Sequence, residues 1–319
     1  MMTFLVAAAS LIFLIAASLV IFTAVTARRV ERALPPRGRF LDVEGARIHY
    51  LDKGSGPAIV ILHGLGGQMG NFTHSLLDRL TDKFRVILVE RPGSGYSTRA
   101  PGASARLSAQ AETVAQFMRI LKLEHPLLVG HSLGGAVALA VALNHPETIR
   151  GLALIAPLTH VPEAVPGPFR ALEIRSNILR WLLAWTVATP LSIRRGQSVL
   201  NVIFSPAPAP ADFATRGGGL LGLRPQSFYN TSMDMISVDA DLKTMVDRYP
   251  SLKVPVSILY GTSDRVLDHQ LHGVNMKSKL PALHLELLEA GGHMLPISAP
   301  DLTANFIKRA AQSEIPPAY

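Results

Sequence analysis

Apolar runs of two lengths mark out the chain. The first 27 residues carry no charged side chain, and residues 4–25 are almost wholly apolar, which is long enough for a helix to cross the hydrocarbon core of a bilayer. The later runs are short and largely apolar, as is typical of strands buried on both faces. They are Ala58–Leu62, Arg85–Val89, Leu127–Val129, Gly151–Ala156, Val254–Tyr260 and Leu283–Leu288.

Helical patterns between these strands indicate the fold class. Apolar residues at positions 107, 111, 114, 118 and 121 recur at the period of a helix with one buried face. The small apolar residues after Ser132 and the segment Leu302–Ala311 are typical of further helices. Strands that alternate with helices form a parallel sheet covered on both faces, so we predict an α/β fold.

The alternation stops at Pro157 and resumes near residue 251. The intervening residues are rich in proline and glycine, and Leu172–Val187 has the pattern of an amphipathic helix. We therefore predict a transmembrane anchor at 1–27, a basic linker at 28–38, an α/β core at 39–157 and 251–319, and an inserted helical cap at 158–250.

The N-terminal apolar segment has two interpretations. A secretory signal peptide is one, since residues 25–27 resemble a cleavage site; against it, the apolar run is long and no Lys or Arg precedes it. We favour an uncleaved anchor. Arginines at positions 28, 29, 32, 37 and 39 follow it, so the positive-inside rule predicts that the main domain lies in the cytosol.

Composition narrows the classes of partner and of chemistry. The chain has 31 Lys and Arg against 23 Asp and Glu, a net charge of +8, but no basic run interleaved with aromatic residues. We therefore expect an anionic membrane surface rather than nucleic acid as the partner of the basic residues. The absence of cysteine excludes disulfides, thiolate metal sites and a cysteine nucleophile.

Gly130-x-Ser132-x-Gly134 lies between a predicted strand and a predicted helix. This spacing is that of a nucleophile elbow, in which a sharp strand-to-helix turn exposes the serine hydroxyl. The flanking glycines avoid the Cβ collisions that such a turn would cause. We predict that Ser132 is a nucleophile.

Asp264 and His293 follow two other predicted strands, as Leu65 follows Ala58–Leu62. Open α/β sheets place their sites at these strand ends. A serine hydroxyl needs a base, which His293 provides, and a carboxylate to orient the imidazole, which Asp264 provides. Asp268 is an alternative carboxylate.

The motifs together resemble the α/β-hydrolase fold family, in its capped esterase and lipase type. The resemblance covers nearly everything from residue 39 to 312 and includes the chain order Ser, Asp, His. The matching segments are His63–Gly66, Gly93–Ser97, Gly130–Gly135, Gly261–Asp264 and Gly292–His293. Two positions depart from the family pattern, Glu90 in place of Asp and Ser298 in place of Glu, and we interpret both as structural.

The resemblance implies a serine hydrolase that cleaves carboxylic esters, as a carboxylesterase or a monoacylglycerol-type lipase. The backbone N–H groups of Leu65 and Leu133 are then expected to bind the oxyanion. A haloperoxidase-like perhydrolase or a carbon–carbon bond hydrolase would use the same triad, and a ligand receptor could retain it. Ser132 argues against epoxide hydrolases and haloalkane dehalogenases, which have Asp at the nucleophile position.

The remaining histidines have less specific interpretations. We expect His63 and His131 to be structural hydrogen-bonding residues beside the pocket. We expect His160, His269 and His272 to lie on the surface or in the cap. No His and carboxylate cluster has metal-ligand spacing, so we predict no metal and no cofactor.

The predicted cap helix carries Trp181 and Trp185 among large apolar residues. Arginines lie beside them, at positions 170, 175, 180, 194 and 195. Such a mixture is typical of the membrane headgroup boundary, so the cap is expected to face the bilayer and admit lipid-like esters. The alternative is that these residues only roof the acyl pocket.

Overall fold

The structure, a computed structural model, describes residues 1–162, 164–165 and 167–312. Within them, the strands are β1 (Arg39–Val43), β2 (Ala46–Lys53), β3 (Ala58–Leu62), β4 (Arg85–Val89), β5 (Thr98–Arg99), β6 (Leu127–His131), β7 (Gly151–Ile155), β8 (Val256–Gly261) and β9 (His284–Leu288). The helices are α1 (Met2–Ala33), α2 (Gly70–Thr73), α3 (Leu107–Ile120), α4 (Leu133–Asn144), α5 (Asn177–Trp185), α6 (Ala188–Ile203), α7 (Pro225–Arg248), α8 (Asn275–Lys279), α9 (Leu295–Ser298) and α10 (Pro300–Gln312). Short 3₁₀ turns include Gly167–Leu172 and Gly219–Leu223.

The strands form one sheet in the order β1-β2-β4-β3-β6-β7-β8-β9, with β5 paired to β2. All pairings from β4 to β9 are parallel, and β2 pairs antiparallel with β1, β4 and β5. The chain runs from β3 outward to β4 and then returns to β6 on the other side of β3. The loops after β3 and β6 therefore meet at a topological switch point, where open α/β sheets bind their ligands.

Each face of the sheet has its own apolar layer. Val60 faces a cluster that includes Phe117 of α3 and Val137 of α4, whereas Ile59 faces a cluster that includes Phe306 of α10. Alternate residues of a strand point to opposite faces, so a strand covered on both sides must be apolar at every position. The prediction of an α/β fold with a mostly parallel sheet is confirmed.

The predicted linker at 28–38 is wrong in its first half. Helix α1 continues without a break to Ala33, because Arg, Val, Glu and Ala are all compatible with a helix and the first proline is Pro35. The end of α1 packs against the rest of the protein. Thr23 and Val30 are buried, and the Thr23 hydroxyl donates to the Thr186 carbonyl oxygen (3.4 Å).

The segment predicted as a helical cap contains α5, α6 and α7. The single helix predicted at Leu172–Val187 is wrong in its bounds. Ser176 caps α5, since its hydroxyl accepts a hydrogen bond from the Leu179 N–H (3.3 Å), and the helix begins at Asn177. Positions 163 and 166 of the cap segment and 313–319 of the core segment lie outside the described residues.

Candidate active site

Ser132 lies in the sharp turn between β6 and α4. Its backbone has φ 54° and ψ −121°, a conformation that L-residues adopt rarely and that marks strained functional turns. A Cβ on Gly130 would come within 2.6 Å of Gly135 Cα, so the turn requires glycine there. Ser132 is 7% exposed and borders a cavity of about 660 Å³.

Asp264 and His293 form a buried pair beside that cavity. His293 Nδ1 lies 2.7 Å from Asp264 Oδ2, and both side chains are almost fully buried. The other oxygen, Oδ1, accepts the N–H groups of Val266 (2.7 Å) and Leu267 (3.0 Å). Burial favours the neutral acid, but the charge and hydrogen bonds around the carboxylate outweigh it, so the pKa of Asp264 lies below its ordinary value.

Ser132, His293, Leu65 and Leu133 all line the same cavity. In the part of the chain that the structure describes, no hydrogen bond joins the Ser132 hydroxyl to His293. Such contacts are often long until a substrate binds. Leu133 occupies the first position of α4, where its N–H has no intrahelical acceptor and the helix end favours negative charge.

His131 and His63 hold the loops around the cavity, as predicted. His131 Nε2 donates to the His293 carbonyl oxygen (3.0 Å), and burial, with the nearby charge of His293, lowers the pKa of His131 to about 3. His63 Nε2 accepts the Arg91 N–H (3.0 Å), so Nδ1 carries the proton and donates to the Gly64 oxygen (2.8 Å). Both imidazoles are neutral near pH 7.

The prediction that His272 lies on the surface or in the cap is wrong, because His272 is buried and lies outside residues 158–250; His160 belongs to the predicted cap segment and is also buried. His272 Nδ1 accepts the N–H groups of Thr159 (3.2 Å) and His160 (3.3 Å), so the imidazole fixes the loop that follows β7. Burial lowers the pKa of His272 to about 4. His269 is half-buried and contacts Asp268, as befits a residue near the surface.

The two departures from the family pattern lie in structural positions. Glu90 is buried and accepts from His49 Nδ1 (2.7 Å) and from the Tyr96 N–H (2.5 Å). It thereby closes the loop after β4. Ser298 ends α9, with its hydroxyl donating to the Met294 carbonyl oxygen (3.1 Å).

Sequence reasoning missed one buried ion-pair network next to the site. Arg91 follows β4 and pairs with Asp234 of α7 (2.8 Å), which also pairs with Arg99 (2.6 Å). All three side chains are buried. Arg91 and Asp234 are 143 positions apart. No local sequence pattern predicts an ion pair between residues so far apart in the chain.

The two tryptophans of α5 border a different space from Ser132. They line a cavity of about 390 Å³ between α1 and the cap. Trp181 is 54% exposed, and Trp185 is half-buried. Neither belongs to the lining of the Ser132 cavity among the described residues.

The structure describes no group of three or more His, Asp and Glu side chains placed to hold a metal ion in residues 1–162, 164–165 and 167–312. The chemistry open to this arrangement is that of a nucleophile, a base and an orienting carboxylate at the edge of an apolar cavity.

Comparison with known proteins matches this architecture. Residues 57–197 match a family model described as alpha/beta hydrolase fold. An uncharacterized protein of Mycobacterium tuberculosis is 28% identical, over 92% of this chain and 86% of its own length. A 2-hydroxy-6-oxononadienedioate/2-hydroxy-6-oxononatrienedioate hydrolase of Burkholderia vietnamiensis is 29% identical, over 77% and 84%.

A crystal structure of a membrane phospholipase A, described as a bacterial virulence factor, is similar over the whole length. It is 25% identical, has a TM-score of 0.67 and aligns over 98% of this chain and 97% of that one. Its alignment therefore includes most of α1. The match over residues 57–197, the similarity to this neighbour and the sheet order together show that the chain has the alpha/beta hydrolase fold.

Proposed function

We propose that the protein is a serine hydrolase of carboxylic esters. Ser132 Oγ attacks the acyl carbon while His293 takes its proton, and the alcohol leaves with that proton, giving an acyl-enzyme. Water, deprotonated by His293, then releases the acid and restores Ser132. Asp264 holds Nδ1–H of His293 and stabilises the imidazolium. The N–H groups of Leu65 and Leu133 bind the oxyanion of each tetrahedral intermediate.

One observation carries this proposal. His293, held 2.7 Å from the buried carboxylate of Asp264, lines the same cavity as a serine in a strained strand-to-helix turn. The buried pair supplies a base whose tautomer is set, and the turn supplies a hydroxyl with no other hydrogen-bond partner among the described residues. Acyl transfer needs these groups together.

The cavity lining favours an ester with an apolar acyl chain. Most of its described lining residues are apolar, including Leu158, Leu200 and Met235. Its fully charged residues are Glu173, Arg175 and Asp239, so two of the three are acidic. The relative from Burkholderia vietnamiensis acts on a dioate, a doubly negative molecule, and such a substrate fits this lining poorly. We therefore propose a carboxylesterase or a monoacylglycerol-type lipase.

Ester hydrolysis by the detergent-solubilised full chain tests the proposal. We expect p-nitrophenyl esters to be hydrolysed, with an optimum at medium acyl chains, and Ser132→Ala to lose the activity. A Ser132→Ala protein as fast as the wild type would refute it. The same panel with peroxide and acetate tests the perhydrolase alternative, which requires peroxide-dependent turnover to exceed ester hydrolysis.

We further propose that α1 anchors the protein and that the cap rests on the bilayer. One 18-residue window of α1 has a mean hydropathy of 2.8 and is entirely unburied. The outward-facing stretch from residue 2 to 22 spans about 32 Å at ~1.5 Å per residue, close to the ~30 Å hydrocarbon core. Thr23, the next residue, already packs on the cap. The cap therefore begins where the hydrocarbon ends.

Exposed apolar side chains of α5 and α6 continue this lipid-compatible surface. We call them the cap face: Ile178, Leu179, Trp181, Leu182, Leu191 and Ile193. Ile193 also lines the Ser132 cavity, so the cap face reaches the rim of the site. Arginines at 175, 194 and 195 lie exposed beside it, where they suit anionic headgroups.

Liposome binding by a chain that lacks residues 1–27 tests the cap face. We expect the truncated chain to sediment with anionic vesicles. The double substitution Trp181→Ala and Ile178→Ala is expected to reduce that binding. Ile120→Ala, at an equally exposed apolar residue on α3 of the core, is the matched control and is expected to change nothing. If the truncated chain ignores the vesicles while it still hydrolyses soluble esters, the cap does not dock on the membrane.

A further inference from the structure

A buried guanidinium lies beneath the loop that follows β3. The Arg91 side chain is 0% exposed and donates Nε to the His63 carbonyl oxygen (2.9 Å) and Nη2 to the Gly64 carbonyl oxygen (2.9 Å). The Gly64 oxygen also accepts from the His63 ring (2.8 Å) and from the Gly67 N–H (3.2 Å). Three donors thus converge on one carbonyl, and the only charged one is Arg91.

That carbonyl belongs to the peptide unit that supplies the expected oxyanion donor. The Gly64 C=O and the Leu65 N–H share one planar, trans peptide group, in which the two bonds point in opposite directions. When Arg91 fixes the direction of the carbonyl, it therefore fixes the direction of the Leu65 N–H as well. Leu65 lines the Ser132 cavity, and a Cβ on Gly64 would lie 2.9 Å from the Ser132 Cβ.

The same guanidinium is tied to the cap. Its Nη1 donates to Asp234 Oδ2 (2.8 Å) and to Gln110 Oε1 (2.7 Å). Asp234 lies on α7 beside Met235, a residue of the cavity lining, and its other oxygen accepts from Arg99 (2.6 Å). A buried carboxylate that bridges two buried arginines holds the guanidinium in one orientation. The position of α7 and that of the loop after β3 are therefore linked through a single side chain.

We propose that Arg91 is a positioning residue that aims the Leu65 N–H at the oxyanion and that Asp234 makes this aim depend on a correctly seated cap. The proposal rests on the proposed ester hydrolysis. Substrate and transition state differ most at the carbonyl oxygen, so a misdirected donor weakens the transition state and leaves ground-state binding by the apolar cavity intact. The effect belongs in kcat rather than in KM.

Two substitutions and one control test the proposal in the full chain with a soluble p-nitrophenyl ester. Arg91→Lys keeps the charge but cannot reach both carbonyls and Asp234, and Asp234→Asn keeps the shape but removes the charge. Asp241→Asn is the control. Asp241 is also buried on α7 and ties it to the core through Arg106 (2.5 Å), away from the loop after β3.

We expect Arg91→Lys to lower kcat by about 10- to 100-fold, a part of what the loss of a whole oxyanion donor costs, with KM within about twofold. Inhibition by an alkyl boronic acid, whose tetrahedral adduct uses the oxyanion donors, weakens by a similar factor. Asp234→Asn shifts both quantities in the same direction, by about 3- to 10-fold. Asp241→Asn leaves both within about twofold of wild type.

The outcomes separate this proposal from the proposed function. A folded Arg91→Lys or Asp234→Asn protein with wild-type kcat overturns the positioning role of Arg91. An Asp241→Asn protein that loses as much kcat as these variants also overturns it, because the loss would then come from a weaker attachment of the cap. If Arg91→Lys does not fold, the near-isosteric Asp234→Asn decides. A Ser132→Ala protein with full activity would refute the proposed function itself.

Discussion

The Asp264→Asn substitution tests the proposed base most sharply, because the structure dictates which way the new amide must turn. Asp264 Oδ1 accepts two backbone N–H groups, from Val266 and Leu267. In the variant the amide oxygen must take this place, since an NH₂ group there would face two donors. The NH₂ group is then directed at His293 Nδ1, which lies 2.7 Å from the present Oδ2.

A donor at this position reverses the tautomer of the imidazole. His293 Nδ1 must then accept, so Nε2 carries the proton and cannot take one from Ser132. A histidine in the wrong tautomer lowers kcat about 10⁴-fold in triads of this kind, and we expect the same loss here. It corresponds to an increase of ~5 kcal/mol in the activation free energy. The backbone hydrogen bonds of Oδ1 remain, so the variant is expected to fold.

Initial rates with a p-nitrophenyl ester, together with circular dichroism and thermal melting, measure both effects. Asp268→Asn is the matched control, because Asp268 is the alternative carboxylate, four residues after Asp264 in the loop that follows β8, and is 63% exposed. We expect the control to keep wild-type kcat. A folded Asp264→Asn protein with kcat within tenfold of wild type would refute the reasoning. A large loss of kcat in Asp268→Asn instead would mean that Asp268 orients His293.

Three further results are expected. Gly134→Ala would press a Cβ onto backbone carbonyl oxygens at the end of β3 and is expected to lower the melting temperature strongly, whereas Gly222→Ala meets nothing within 4 Å and should not. The pKa values of His131 and His272, about 3 and about 4, lie below the ordinary 6.5, so unfolding binds protons and melting temperature should fall as pH drops from 6.5 toward 4; a flat profile contradicts this. Protease added to intact right-side-out cells should spare the catalytic domain, and its loss would reverse the predicted orientation.

Much of the core was predictable because its signals are local. Strands buried on both faces must be apolar throughout, so runs such as Ala58–Leu62 can be recognised as strands from the sequence. The turn at Ser132 requires glycine two residues before and two residues after the serine, and both glycines are visible in the sequence motif. The pairing of Asp264 with His293 followed from their positions after neighbouring strands of a parallel sheet.

Other features depend on contacts between distant segments and left no local signal. Arg91 and Asp234 each look like surface charges in sequence, and only the folded cap brings them together in the interior. His272 is buried because the loop after β7 supplies N–H donors to its ring. The continuation of α1 to Ala33 could not be predicted, because the arginines after residue 27 are compatible with both a linker and a helix.

Covalent labelling tests the central claim most directly, that Ser132 is the nucleophile. The solubilised full chain is treated with an alkyl fluorophosphonate, digested and mapped by mass spectrometry, with Ser132→Ala and His293→Ala proteins in parallel. The account predicts one adduct, on the peptide that contains Ser132, formed in step with the loss of esterase activity, absent in Ser132→Ala and much slower in His293→Ala. Complete inactivation with the adduct on another residue, or full activity with Ser132 fully labelled, would contradict it.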